Sequence, residues 1–229
     1  MSPLTQILFR CAALAAAGIL GLQALWILAA EIKRPAVPSS SYSAETITAY
    51  RNAARLSAEL GMVRGDLWAD SAITYADLLW YEKSRRVDAD TLKIVDIASD
   101  SAERALRLAP HNTQVWLLVA GLNLRFDGFN GNSAAALRMS YYTGLNEVDL
   151  LPLRVLFAAQ SEKVLADSEL ETLVKRDIRI IISRIPEQKL SIRDAYRVAI
   201  PAGRRLIEQT LNELDPAFLA SLRSEDPRP

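Results

Sequence analysis

The 229-residue sequence has little of the chemistry on which most catalytic and metal sites depend. It has one cysteine, Cys11, and one histidine, His111. An intrachain disulfide is therefore excluded, and a transition-metal site would lack its usual ligands. The chain has only nine glycines, and no phosphate-binding loop, nucleophile elbow or paired-histidine zinc motif occurs in it. We therefore expect no cofactor and no metal.

The sequence also has no excess of either charge, because 27 basic side chains balance 27 acidic ones. Nucleic-acid-binding domains normally carry a basic excess, so this balance argues against a nucleic-acid partner. Acidic pairs that could serve in acid–base catalysis, such as Glu169 and Glu171, fall at predicted helix starts. The helix dipole favours carboxylates at that position, which is the simpler explanation for them. The sequence therefore predicts no enzymatic activity.

A long apolar run near the N-terminus is the clearest feature that the sequence does have. Residues 11–30, CAALAAAGILGLQALWILAA, carry no charge and one polar side chain, Gln23. As an α-helix the run would be about 30 Å long, the thickness of a bilayer core. A cleaved signal peptide would have a shorter apolar core and a better small-x-small site before Glu31, and a lipoprotein would carry its cysteine after the run, unlike Cys11. The run predicts an uncleaved membrane anchor.

The composition around this anchor divides the chain into five predicted segments. These are a short head (1–10), the transmembrane helix (11–30), a Pro/Ser-rich linker (31–43), a helical domain (44–222) and a flexible tail (223–229). The linker is typical of a stalk that separates a domain from the membrane. A short head with a long body usually leaves the body outside, although the flanking positive charges are nearly balanced. Abundant alanine and arginine suggest a GC-rich bacterial genome, so we expect a single-pass inner-membrane protein with a periplasmic domain.

Apolar residues after position 43 recur at helical spacing, with almost none of the alternation typical of strands. Predicted helix-start residues include Ser43, Asp66, Asp90 and Ser168, the last in an S-x-x-E capping box with Glu171. The connections between the predicted helices are short, and helices joined in this way pack as antiparallel neighbours. The sequence therefore predicts an all-α body of antiparallel helical hairpins.

The stretch RALRLAPHNTQVW, residues 104–116, separates two of these helices with a proline and then an aromatic residue. The residues that define this junction are Ala98, Ala102, Ala105, Pro110 and Trp116. Their spacing resembles the junction between two tetratricopeptide repeats, over about residues 90–125. The resemblance implies that the small residues let paired helices approach closely and that the aromatic residue fills the gap between repeats. It also implies a tetratricopeptide-like solenoid, to which an irregular helical bundle is the alternative.

One predicted helix is rich in aromatic residues and is the candidate partner-binding site. Its four aromatic residues are Trp68, Tyr75, Trp80 and Tyr81. Because one helix cannot bury all four on a single face, we expect some of them to be exposed as anchors for a bound partner. Packing between adjacent hairpins explains these residues equally well.

Solenoids bind partners through extended surfaces rather than pockets. The leading hypothesis is therefore a non-enzymatic adaptor or scaffold that presents a helical surface to a protein or peptide partner in the bacterial envelope. Polysaccharide export, secretion and cytochrome maturation are settings that the tetratricopeptide resemblance implies. The second hypothesis is a structural accessory subunit of a larger membrane complex, held mainly through its transmembrane helix, whose small residues suit close helix packing. The third is an all-helical enzyme with an unfamiliar site.

Overall fold

The protein is all-helical over the residues that the structure describes. The computed structural model describes residues 3–34, 44–81, 89–126 and 132–225, with the backbone alone for residues 3–5, 44, 45 and 77–81. No strand occurs among these residues, which confirms the all-α prediction. Most of the predicted linker and tail lies outside them. The chain divides into two compact units, Met1–Ala109 and Pro110–Pro229.

The described residues of the first unit form four helices. They are α1 (Pro3–Ile32), α2 (Ala44–Gly61), α3 (Gly65–Tyr81) and α4 (Ala89–Leu108). Helix α1 contains the predicted anchor and continues through the described part of the predicted head. Its stretch Gln6–Ile32 has a mean hydropathy of 2.0 and is long and apolar enough to cross a membrane. Side chains 6–29 are all exposed, so this apolar surface lies on the outside of the unit.

Small residues let α3 and α4 approach each other closely. Ala98, Ala102 and Ala105 line the buried side of α4 and are at most 1% exposed. At the same interface the hydroxyl groups of Ser71 and Ser101 are 3.1 Å apart and share a hydrogen bond. Interaxial distances between helices depend on the side chains at the contact, and alanine and serine allow short ones.

The second unit contains eight helices in its described residues. They are α5 (Thr113–Phe126), α6 (Ser133–Gly144), α7 (Leu151–Ala158), α8 (Glu162–Leu165), α9 (Ser168–Arg184), α10 (Lys189–Val198), α11 (Pro201–Leu214) and α12 (Pro216–Glu225). Short 3₁₀ turns precede α7 and α10. Helix α9 is central because α6, α7, α8, α10 and α11 all pack against it. Its fully buried stripe includes Leu170, Val174, Ile178 and Ile181.

Three of the predicted helix starts differ from those in the structure. Asp66 and Asp90 lie inside the first turns of α3 and α4 rather than before them. Helix α9 is capped by Asp167, whose carboxylate accepts hydrogen bonds from the backbone N–H groups of Glu169 and Leu170. The predicted capping residue, Ser168, is instead the first residue of the helix. Aspartate and serine are equally good N-caps, so sequence alone does not choose between neighbours.

The predicted repeat junction falls at the boundary between the two units, which lies between Ala109 and Pro110. The three small residues belong to the first unit, whereas Pro110 and Trp116 belong to the second. The Trp116 indole N–H donates to the carbonyl of Pro110 at 2.7 Å, and its ring packs against the core of the second unit. Trp116 therefore stabilises its own preceding turn. A tetratricopeptide-like stack through this junction stays a prediction.

Gly203 allows α11 to lie directly against the backbone of Ala159. The Ile200 N–H donates to the Ala159 carbonyl at 3.0 Å, which brings the first turn of α11 to this point. A Cβ atom at position 203 would clash with the Ala159 oxygen and lie 2.8 Å from its Cα and carbonyl carbon. Backbone atoms cannot rotate out of the way as a flexible side chain can.

Replacing Gly203 with alanine should therefore destabilise the protein by about 2 kcal/mol through overpacking. Helix propensity alone predicts the opposite sign, because alanine is favoured over glycine by about 1 kcal/mol in a helix interior. Thermal unfolding followed by circular dichroism measures the difference. Gly18→Ala is the matched control, since no atom of the described part of the chain lies within 4 Å of a Cβ there. A Gly203→Ala protein as stable as the unchanged chain would contradict the close approach.

Candidate functional site

The end of α1 is held against α2 by two hydrogen bonds from side chains to backbone. The Ser57 hydroxyl donates to the carbonyl of Ala30 at 2.8 Å, and the Trp26 indole N–H donates to the carbonyl of Leu60 at 2.7 Å. Both acceptors lie in the last turn of their helix, where carbonyl groups have no partner within the helix. The pairings run in opposite directions along the two helices, so α1 and α2 are antiparallel and their register is fixed.

Five charged side chains form a cluster around the same junction. Arg64 bonds to Glu31 at 2.8 Å and to Asp66 at 2.6 Å, and Arg34 pairs with Asp70 at 2.6 Å. Hydrogen bonding to Arg64 lowers the pKa of Asp66. Burial raises the pKa of Asp70, and the ion pair with Arg34 opposes that rise. Exposed ion pairs contribute little stability singly, so we assign this charged cluster the role of orienting α1 on α3.

A small apolar groove of about 130 Å³ lies beside the charged cluster, between α1 and the α2–α3 turn. Its lining residues are Gln23, Trp26, Ile27, Ala30, Gly61, Val63 and Arg64. In the turn, Met62 is 64% exposed and Val63 is 67% exposed. The backbone of Met62 has a positive φ of 36°, and its carbonyl accepts a hydrogen bond from the Trp68 indole at 3.0 Å. The junction therefore combines a fixed backbone with exposed apolar side chains.

The structure buries the two predicted partner-binding aromatics whose side chains it describes. Trp68 is 3% exposed and Tyr75 is 6% exposed. The guanidinium of Arg104 lies 4.7 Å from the Trp68 ring centre, and that of Arg51 lies 5.8 Å from the Tyr75 ring centre. Packing inside the first unit, the alternative explanation, accounts for both. The side chains of the other two predicted residues, Trp80 and Tyr81, lie outside the described residues.

Sequence reasoning missed the contacts that Ser57, Arg64 and Asp70 make with the end of α1. For Arg64 and Asp70, the charge pattern of the sequence is a signal that could have indicated these contacts. Glu31 and Arg34 follow the apolar run directly, and Arg64, Asp66 and Asp70 lie in and just after the α2–α3 turn. No pattern in the sequence marks a buried serine such as Ser57 as the donor to a helix end 27 residues earlier.

The second unit buries a polar cluster of Tyr141, Arg154 and Asp177, each at most 1% exposed. Arg154 donates to the carbonyls of Ser140 at 2.7 Å and Gly144 at 2.9 Å, at the C-terminal end of α6. Its guanidinium lies 4.6 Å from the centre of the Tyr141 ring, and the Tyr141 hydroxyl donates to Asp177 at 2.8 Å. The buried polar cluster thus connects α6, α7 and α9.

Burial raises the pKa of Asp177 to about 6, against the opposing effects of the Tyr141 hydrogen bond and the charges of Arg154 and Arg176. One carboxylate oxygen of Asp177 and one terminal nitrogen of Arg154 have no hydrogen-bond partner among the residues that the structure describes. Within the described ranges, no group of three or more His, Cys, Asp or Glu side chains could hold a metal ion. The contacts of the cluster are with the end of a helix and a buried ring, so they hold α6, α7 and α9 together. Because the pKa of Asp177 is raised, we expect the stability of the protein to depend on pH.

Comparison with protein-family models, curated proteins and solved structures finds no match to this chain. The geometry alone therefore defines its class. The described residues form helices in two units. The first unit includes α1, which is long and apolar enough to cross a membrane and whose end is bonded to α2.

Asp177→Asn should remove a pH dependence of stability. The folded-state pKa of about 6 exceeds the ordinary value of 3.8, so folding favours the protonated carboxyl. Its stabilising contribution is complete below the ordinary pKa and is lost as pH rises through about 6. Relative to the Asn variant, the unchanged protein should lose roughly 2 kcal/mol between about pH 4 and pH 7. Urea unfolding at a series of pH values measures this difference.

The exposed Asp194→Asn change is the matched control for that series, because it removes a carboxylate from the surface of the same unit. It should leave the pH dependence of unfolding as it is in the unchanged chain. If the free energy of unfolding changed with pH in the same way for the Asp177→Asn protein and the unchanged protein, the raised pKa of Asp177 would be contradicted.

Proposed function

We propose that this protein is a non-enzymatic, single-span adaptor of the bacterial cell envelope, whose helical body presents a surface to a protein or peptide partner. The observation that carries the proposal is the bonded junction between α1 and α2. Because the end of α1 and the first helices of the body form one unit, the membrane helix sets the position of that unit at the membrane surface.

The exposure of α1 supports a membrane as its environment. Side chains 6–29 are exposed and almost all apolar. Soluble monomers rarely expose contiguous apolar patches of such length, whereas a bilayer solvates apolar side chains and leaves the helix to satisfy its own backbone groups. We propose the inner membrane as the location of α1 and the periplasm as that of the body.

The α6–α7 connection is the surface that we assign to the partner. Tyr142 in the last turn of α6 is 60% exposed, and Leu145 and Val148 in the connection itself are 40% and 44% exposed. Arg176 of α9 holds the connection by donating to the Leu145 carbonyl and the Asn146 side chain, both at 3.1 Å. Such exposed side chains on a fixed backbone resemble the pre-organised anchors of protein interfaces, since less flexibility is lost on binding.

Partner capture by two variants of the full chain tests this function. In the first variant, residues 6–25 are exchanged for an unrelated apolar sequence of equal length, which keeps Trp26 and the junction. In the second, Val148→Asp places a charge on the α6–α7 connection. After extraction in a mild detergent, the adaptor should retain its partner in the first variant and lose most of it in the second, as expected for an interface anchor that costs about 2 kcal/mol to remove.

Leu190→Asp is the matched control, because Leu190 is an equally apolar residue of the second unit that is 59% exposed. It should capture the partner as the unchanged chain does. Loss of the partner in the span-exchanged variant would instead favour an accessory subunit held through its membrane helix. Capture of no stoichiometric partner by the unchanged chain would contradict both.

A further inference from the structure

We propose that the α2–α3 turn, residues 61–64, is embedded in the surface layer of the bilayer and that the apolar groove beside it holds a lipid acyl chain. This inference deepens the proposed function, since it rests on α1 being a membrane anchor. We assign a lipid acyl chain to the groove because the groove is continuous with the apolar surface of α1. Gln23, Trp26 and Ile27 belong to both.

The antiparallel register sets the depth of the turn. Ser57 meets Ala30, and Leu60, one turn later, meets Trp26, one turn earlier on α1. Helix α2 therefore runs back along α1 toward its apolar part. The groove extends along α1 to Gln23, which lies about 10 Å before Ala30 at the usual rise of a helix. That distance is comparable to the depth of about 5–10 Å at which interfacial segments bury apolar faces.

The polar and apolar groups of the junction are separated in the order that a membrane surface requires. Val63 of the turn lines the groove together with Trp26 and Ile27 of the apolar part of α1, and the exposed Met62 precedes it. The charged groups lie toward the end of α1, where Arg64 reaches Glu31 and Arg34 reaches Asp70. Arg64 lines the groove, and its guanidinium bonds to Glu31 and Asp66, as the charged ends of long basic side chains do at interfaces.

The backbone of the turn is held in the conformation that exposes these apolar side chains. Non-glycine residues with positive φ are uncommon, and Met62 is one. The Trp68 indole bonds to its carbonyl, and the Arg64 N–H bonds to the Gly61 carbonyl at 2.9 Å. Turns exposed to water generally use glycine, asparagine or aspartate at such positions. A fixed turn with methionine and valine at its tip fits an apolar medium.

The groove itself fits a hydrocarbon chain rather than a polar ligand. The two strongest donors on its walls are already satisfied, because the Trp26 indole bonds to the Leu60 carbonyl and Arg64 bonds to Glu31 and Asp66. A polar ligand would have to displace these bonds, whereas an acyl chain displaces none and covers the carbon atoms of Ile27 and Val63.

Quenching by lipid-borne nitroxides tests the inference on the full chain. Cys11→Ser removes the only cysteine, and Val63→Cys, Leu20→Cys or Leu92→Cys then supplies a single site for a thiol-reactive bimane. All three positions are exposed, so the label should not disturb packing. Leu20 reports on α1. Leu92 reports on a position far from the turn. It lies about 24 Å along α4 from Leu108, and the Cβ of Leu108 is near Gly65, the residue that directly follows the α2–α3 turn.

Each protein is reconstituted into phosphatidylcholine–phosphatidylglycerol vesicles with and without acyl-chain nitroxide. We expect at least a two-fold loss of emission at positions 20 and 63 and none at 92, since nitroxides quench only probes at acyl-chain depth. Quenching at 20 with no quenching at 63 would overturn the embedded turn and leave the anchor standing. Absence of quenching at both would overturn the anchor itself. Equal quenching at 63 and 92 would contradict a depth set by the register.

A second copy of the chain is the main competing occupant of the groove. If it covers the turn, Val63→Cys should form an intermolecular disulfide in the vesicles and be shielded from lipid quenching. That result would also overturn the inference. Circular dichroism of the labelled proteins, compared with the unchanged chain, verifies that each remains folded.

Discussion

Unpaired carbonyl groups at helix ends are the constraint on which this structure depends. A helix leaves its last carbonyls without internal partners, and burying them unpaired is costly. In the first unit Ser57 and Trp26 supply the missing donors for α1 and α2. Because each bond joins one helix to the other, satisfying the carbonyls also fixes the antiparallel register. The charged cluster, the apolar groove and the position of the α2–α3 turn follow from that register.

The same solution recurs in both units. Each tryptophan whose side chain is described donates its indole N–H to a carbonyl at a helix end or in a turn: Trp26 to Leu60, Trp68 to Met62 and Trp116 to Pro110. In the second unit, Arg154 does this for the end of α6. These tryptophans therefore hold turns and helix ends in place. Trp68, which the sequence suggests as a partner anchor, is buried and used in this way within the first unit.

Helix positions could be predicted from the sequence because apolar periodicity and breakers act locally. Apolar residues recur at helical spacing after position 43, and the described residues of that part of the chain fold as helices. The site could not be predicted in the same way. Periodicity tells which face of a helix is buried but not which carbonyl a donor meets, and the bond from Trp26 to Leu60 spans 34 residues. The buried Arg154 likewise depends on three helices that meet only after folding.

Intrachain crosslinking in native membranes tests the fixed register of α1 and α2 most directly. With Cys11 replaced, cysteines at Ile27 and Val63, which line the same groove, should be joined efficiently by a short bifunctional thiol reagent. Cysteines at Leu20 and Val63 should not, because Leu20 lies about 10 Å further along α1. Equal crosslinking of both pairs, or none of the first pair, would contradict the register.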